Sequence, residues 1–86
     1  MNTISTKTTV KIKVFAVLKD YFPEEFEATL EKNTCQGIIE ALSQLNPSSA
    51  SILTSCRFAI GDSFINQSFQ IPNQSTLFVI PPSSGG

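Results

Sequence analysis

Few residues in this chain are equipped for chemistry, and the missing types narrow the field first. The sequence of 86 residues contains no histidine. Ser-His and Cys-His nucleophile pairs therefore cannot form within it, and the commonest general base is missing. The two cysteines, Cys35 and Cys56, are far apart in the chain and make no CxxC pair. Without imidazole, a zinc site would have to combine two thiolates with carboxylates, a poor ligand set, and no metal is expected. No GxGxxG or GxxxxGK(S/T) loop is present to cradle phosphates. Asp20, Glu24 and Glu25 read as a charged, solvated turn. The remaining candidate is the closing stretch "PPSSGG". Pro81 and Pro82 cannot extend a sheet ladder and favour an extended polyproline conformation. Ser83 and Ser84 are short and polar, and Gly85 and Gly86 carry no side chain. Such a peptide is thin enough to enter a channel that larger residues would block. Gly86 is expected to present a main-chain carboxylate that can be activated as an acyl-adenylate. A frayed terminus can have the same composition, so the reading depends on what holds the tail.

The bulk composition describes a single globular domain. Hydrophobic residues make up 41% of the chain and charged residues 15%, with a formal net charge of -1. A domain of this size buries roughly 60–65% of its unfolded surface, enough for a modest core. There is no basic block, so nucleic acid is not an expected partner. The opening "MNTISTKTT" is polar and lacks the apolar region of a signal peptide. No apolar run approaches the roughly 20 residues of a membrane span. A cytoplasmic protein with reduced thiols and no membrane partner is expected, which favours free cysteines over a disulfide.

The elements that must position the tail follow from periodicity. After a polar lead-in over 1–9, "VKIKVFAVL" alternates. Val10, Ile12, Val14 and Ala16 share one face, and Lys11, Lys13, Phe15 and Val17 the other, as in a half-buried strand. Pro23 limits "LKDYFPEE" to a short helical turn. "FEATLE" alternates again and forms a hairpin-like pair with the first strand. In "NTCQGIIEALSQLNP", Cys35, Ile38, Ile39, Leu42 and Leu45 recur at helical spacing. Thr34 or Asn33 caps this helix and Asn46-Pro47 ends it. Gly37 in its first turn costs about 1 kcal/mol relative to alanine. "SSASILTS" is a loop or an extra helical turn. "CRFAIGDSFI" is a hairpin around Gly61-Asp62. "NQSFQIPNQS" is a polar connection anchored by Phe69 and Ile71, with a turn at Pro72-Asn73. "TLFVI" is the last strand.

This order, β-β-α-β-β-β, predicts an α+β domain over 10–80, with the extended tail over 81–86. One main helix packs on one face of a mixed sheet. The first and last strands are the most apolar and are expected to pair at the sheet centre. That arrangement is a β-grasp, ubiquitin-like fold. If Leu77 and Val79 enter the core, Phe78 and Ile80 face outward with Phe15, and Phe64 can join them. Apolar aromatics on a solvated face call for an explanation. Lys11 and Lys13 flank this surface and can meet an acidic partner.

From Val10 to its end the chain resembles the MoaD/ThiS group of ubiquitin-like sulfur carriers, and within it the small subunits of molybdopterin synthase. The resemblance rests on "KVFAVLKDYF", "TCQGIIEAL", "FAIGDSFI" and above all "LFVIPPSSGG". Members of that branch typically finish with an aromatic or aliphatic pair, two prolines, two short residues and two glycines. Thiamine-pathway carriers also end in Gly-Gly but usually lack the two prolines. The turn at Pro72-Asn73-Gln74-Ser75 departs from the family's usual acidic, glycine-rich turn. Ser83 stands where a valine-like residue is commoner, and Gly61-Asp62 replaces a commoner Asn-containing turn.

The resemblance implies a sulfur carrier that holds no cofactor of its own. A ubiquitin-activating-like adenylyltransferase would use ATP to adenylate Gly86, and a sulfur donor protein would convert it to a thiocarboxylate. The tail would then enter the large subunit of molybdopterin synthase, in a heterotetramer, and pass sulfur to a pyranopterin precursor. The same resemblance implies an apolar docking patch at Phe15, Phe64 and Ile80, with Pro81, Pro82, Ser83 and Ser84 contacting the partner and Gly85 threading. Alternatives are a carrier for a thiamine-type pathway, a modifier conjugated to lysines through Gly86, and an interaction module with an inert tail. The carrier reading expects one residue appended after Gly86 to abolish sulfur transfer, as checked by assaying the extended chain against the native one.

Overall fold

Val10, Ile12 and Val14 alternate with Lys11 and Lys13, and in the computed structural model, which describes residues 7–82, they form the strand β1 (Thr8–Val14). It starts inside the expected lead-in, because the Thr9 N–H finds an acceptor in Asn73 Oδ1 at 2.8 Å. The strand β2 (Glu25–Leu30) runs antiparallel to it, pairing Thr8 with Leu30 and Ile12 with Phe26. The helix α1 (Cys35–Leu45) and the short helix α2 (Ala50–Leu53) follow, then the hairpin β3 (Arg57–Ile60) and β4 (Ser63–Phe64), and last β5 (Thr76–Ile80). Among the described residues these five strands make one sheet in the order β2-β1-β5-β3-β4. β5 is parallel to β1 and antiparallel to β3. This is the α+β, β-grasp architecture expected, with the first and last strands adjacent at its centre.

Side-chain alternation divides the sheet into two faces. Val10, Ile12, Val14, Leu77 and Val79 point to the helix side, where Ile38 and Leu42 of α1 and Leu53 of α2 complete the core. All eight are at most 1% exposed. The expected hairpin turn carries Gly61 at φ +61, a left-handed conformation that suits glycine.

The helix forms where its caps dictate. Thr34 Oγ1 accepts the Gly37 N–H at 3.3 Å, so Thr34 rather than Asn33 is the N-cap. Asn46 closes the other end: its side chain donates to the Tyr21 carbonyl at 3.0 Å and accepts the Ser48 N–H at 3.1 Å. Asn33 instead ties the helix entry to the loop before β5, its carbonyl accepting the Ile71 N–H at 2.7 Å. Gly37 has a role that its helix propensity conceals. A Cβ there would run into the carbonyl of Lys32, so the chain entering α1 folds back tightly over that turn.

Three expectations about the core are corrected. Ala16 does not continue β1. The strand stops at Val14, Ala16 takes φ +54, and a 3-10 turn over Ala16–Asp20 swings Leu18 into the core. Burying Leu18 and Phe22 outweighs the cost of a left-handed alanine, about 1–2 kcal/mol. Leu45 is 61% exposed. The apolar stripe of α1 passes beyond β2, an edge strand, and Leu45 lines an open groove with Ala28 and Ala41. Phe69 is also exposed, leaving Ile71 as the anchor of its loop.

Gly37→Ala is expected to lower stability by about 1–3 kcal/mol through overpacking against Lys32, against a helix-propensity gain of about 1 kcal/mol. Thermal or urea unfolding checks the sign.

Candidate functional site

The face of the sheet away from the helix is built by strand register. Lys13 pairs with Phe78, Phe78 with Ala59, and Ala59 with Phe64, which makes one row across β1, β5, β3 and β4. In the next row Ile80 pairs with Arg57. Phe15 follows β1 directly, and its ring lies 6.0 Å from that of Phe78. The structure thus brings Phe15, Ile80 and Phe64 onto one side of the molecule. Phe64 is 59% exposed and Phe15 40%. Ala59 is buried beneath the row.

Two cations complete this surface. Lys13 Nζ lies 6.0 Å from the centroid of the Phe78 ring, and the Arg57 guanidinium 5.2 Å from that of Phe64. Contacts of this kind are worth about 0.5–1 kcal/mol at exposed sites. Lys11, by contrast, is held by Glu25 at 3.1 Å. Phe78 faces outward with Phe15 and Ile80, as the sequence pattern led us to expect, although the family resemblance did not place it in the patch; Arg57 is the residue that sequence reasoning missed. The alternation that turns Ile80 outward turns Phe78 outward too. The position of Arg57 depends on the β3–β5 register, which no local pattern reveals.

The tail leaves this same surface. Ile80 ends β5, and Pro81 and Pro82 follow it outside the ladder. β5 is flanked on both sides by paired strands, so its end is held firmly. The connection into β5 is stitched as well: the Gln74 N–H donates to the Thr9 carbonyl at 2.7 Å and the Lys11 N–H to the Ser75 carbonyl at 2.9 Å. Gln74 takes φ +70 to make this turn, the position where glycine would be the easier choice. Ser83, Ser84, Gly85 and Gly86 lie outside the described residues.

The thiols are placed elsewhere. Cys35 and Cys56 are both free and line a groove of about 480 Å³ between α1 and the β3–β4 edge, with Ile39, Phe58 and Ile65. Burial pushes both thiols up, Cys56 to about 11 from 9.0. Each is held by a carbonyl, Cys35 by Asn66 at 3.5 Å and Cys56 by Ile52 at 3.3 Å. Protonated, partly buried thiols are weak nucleophiles, so this groove is a poor sulfur relay despite its size. Among the described residues no group of three or more His, Cys, Asp or Glu side chains could hold a metal, and no helix is long and apolar enough to cross a membrane.

Residues 12–86 match the ThiS family. The chain belongs to that family. No curated protein matches it in sequence. Solved structures similar to this ThiS-family chain include the small archaeal modifier protein 1 of Methanosarcina acetivorans. That structure has a TM-score of 0.78 at 19% identity, covering 95% of this chain and 100% of the other. A putative molybdopterin converting factor subunit 1 from Pyrococcus furiosus aligns with a TM-score of 0.74 at 17% identity, over 88% of this chain and 99% of that one. A complex of subunits 1 and 2 of the molybdopterin-converting factor from Helicobacter pylori aligns with a TM-score of 0.61 at 22% identity, over 92% and 100%. At these identities the likeness is one of fold, and that fold is shared by the archaeal modifier proteins and the molybdopterin converting factor subunits alike.

Because folding raises the Cys56 pKa, its contribution to stability is complete below pH 9 and is lost as pH rises through about 11. Urea midpoints of the native chain are expected to fall over that range more steeply than those of Cys56→Ala.

Proposed function

We propose that this chain is a sulfur carrier, the small subunit of a molybdopterin synthase, and that its reactive group is the main-chain carboxylate of Gly86. The observation that carries the reading is the continuity from the clamped strand β5 through Pro81-Pro82 into Ser83-Ser84-Gly85-Gly86, in a chain whose family match runs through that last glycine. A firmly held strand fixes where the tail begins, and the two prolines stiffen its exit. Positioning a nucleophile in this way converts an encounter in solution into a near-intramolecular reaction.

In this reading a ubiquitin-activating-like adenylyltransferase joins the Gly86 carboxylate to AMP at the expense of ATP. Sulfur from a donor protein then displaces AMP and leaves a thiocarboxylate. The tail enters the large subunit and its terminal sulfur bonds to a carbon of a pyranopterin precursor; water then cleaves the acyl–sulfur bond, which returns the Gly86 carboxylate and leaves the sulfur on the precursor. Acid–base groups come from the partner, which suits a chain without histidine. Phe15, Phe64, Phe78 and Ile80 serve as the docking patch, and Pro81, Pro82, Ser83 and Ser84 line the partner's channel. A complex of subunits 1 and 2 among the structural neighbours supports a large-subunit partner. The proposed setting is the cytoplasm.

Likeness to small archaeal modifier proteins favours one second reading, a modifier conjugated to lysines through Gly86. Intact-mass analysis separates the two. Incubation with the adenylyltransferase, ATP and a sulfur donor is expected to add the mass of one oxygen-to-sulfur exchange at Gly86. An isopeptide-linked Gly86 without that species would establish the modifier instead. A chain that functions equally well without Gly85 and Gly86 would overturn both.

A further inference from the structure

We propose that the tail-proximal half of the open face binds a partner surface that is apolar at its centre and carries two carboxylates about 10 Å apart. The inference rests on the docking role proposed above and names the chemistry of the partner. It starts from how the cations of this small domain are distributed. Lys7 is paired with Glu31, Lys11 with Glu25 and Lys32 with Glu40. Among the described residues, Lys13, Lys19 and Arg57 have no carboxylate within ion-pair distance, and two of these three flank the aromatic patch.

The arrangement leaves both charges free for a partner. The carboxylate opposite Lys13 in register is Glu25, but Glu25 is taken by Lys11, and the Lys13 ammonium leans the other way, over Phe78. Arg57 lies over Phe64 on the far side of the patch. The strands carrying Phe78 and Phe64 are separated by β3, so the two rings that hold these cations rise from strands about two spacings, or 10 Å, apart, and that spacing sets the separation proposed for the partner's carboxylates. In the row between the two rings lies Ala59, which pairs with both Phe78 and Phe64. Acidic residues on this face sit on β2, where Glu25 and Glu27 pair with Lys13 and Lys11 in register; Asp62 lies in the β3–β4 turn.

A cation resting on a ring is held in place yet keeps its outward hydrogen-bonding directions. An exposed ion pair is worth little, but one that is closed over by a docked apolar surface gains strength and sets orientation. The whole chain carries a net charge of -1, so long-range attraction does not favour an acidic partner; the selection is local. Nucleic acid fits less well. Two cations cannot track a phosphate backbone, and the rings of Phe78 and Phe64 already carry cations where bases would stack.

The test uses isotope-labelled chain and two stapled helical peptides with the same leucine centre. One carries Glu at positions i and i+7, about 10.5 Å apart, and the other Lys at both. The acidic peptide is expected to shift the amide signals of Lys13, Arg57, Ala59, Phe64 and Phe78, to bind at least about tenfold more tightly than the basic one, and to weaken with added salt. The variant carrying Lys13→Glu and Arg57→Glu is expected to reverse the preference. Equal binding of the two peptides, no binding of the acidic one, or tighter binding of an oligouridine strand overturns the proposal. None of these results bears on thiocarboxylation of Gly86. Failure of that reaction with peptide selectivity intact counts against the carrier reading alone.

Discussion

The parallel pairing of β1 with β5 is the constraint on which the rest of this molecule depends. It joins residues near the two ends of the chain, Lys11 with Thr76 and Val14 with Val79. Parallel neighbours need a long connection between them, and here that connection holds both helices and the other three strands. Closing it costs chain entropy that local contacts cannot repay. The repayment comes from Ile12, Val14, Leu77 and Val79, which are buried together beneath α1. Stitches through Asn73, Gln74 and Ser75 hold the last strand in register with the first.

Everything with a functional reading hangs on that central pair. One side of β5 faces the core through Leu77 and Val79, and the other presents Phe78 and Ile80. One strand therefore anchors the fold, displays the patch and launches the tail. The cost of moving any one role to another residue is a register shift, which would turn Leu77 and Val79 out of the core. In the proposed carrier role, which requires the same tail to reach two partners, such a coupling is useful because the open face and the start of the tail cannot drift apart.

Where side-chain type and spacing decide the outcome locally, the sequence was legible. Alternation in Val10–Val14 and Thr76–Ile80, the Thr34 cap, the Asn46-Pro47 stop and the Gly61-Asp62 turn all led to the right elements. The pairing of terminal strands followed from their apolarity alone. What escaped was decided by tertiary space. Ala16 belongs to a strand by pattern, but Leu18 needed a tight turn to reach the core. Leu45 belongs to the stripe, but the sheet ends before it. Gly37 looks like a weak helix residue until the Lys32 carbonyl is seen beside it. In the site, Phe15, Phe78 and Ile80 could be placed by alternation and Phe64 by its place after the hairpin turn, whereas Arg57 reached its ring through a register that only the assembled sheet defines.

The central claim is that the open face and the tail act as one docking unit. Hydrogen–deuterium exchange on the complex with the proposed activating adenylyltransferase tests it most directly. New protection is expected at residues 13–15, 57–59, 64 and 78–80, with the exposed side of α1 exchanging as it does in the free chain. Protection confined to α1 and the groove of Cys35 and Cys56, with the open face unchanged, would contradict it.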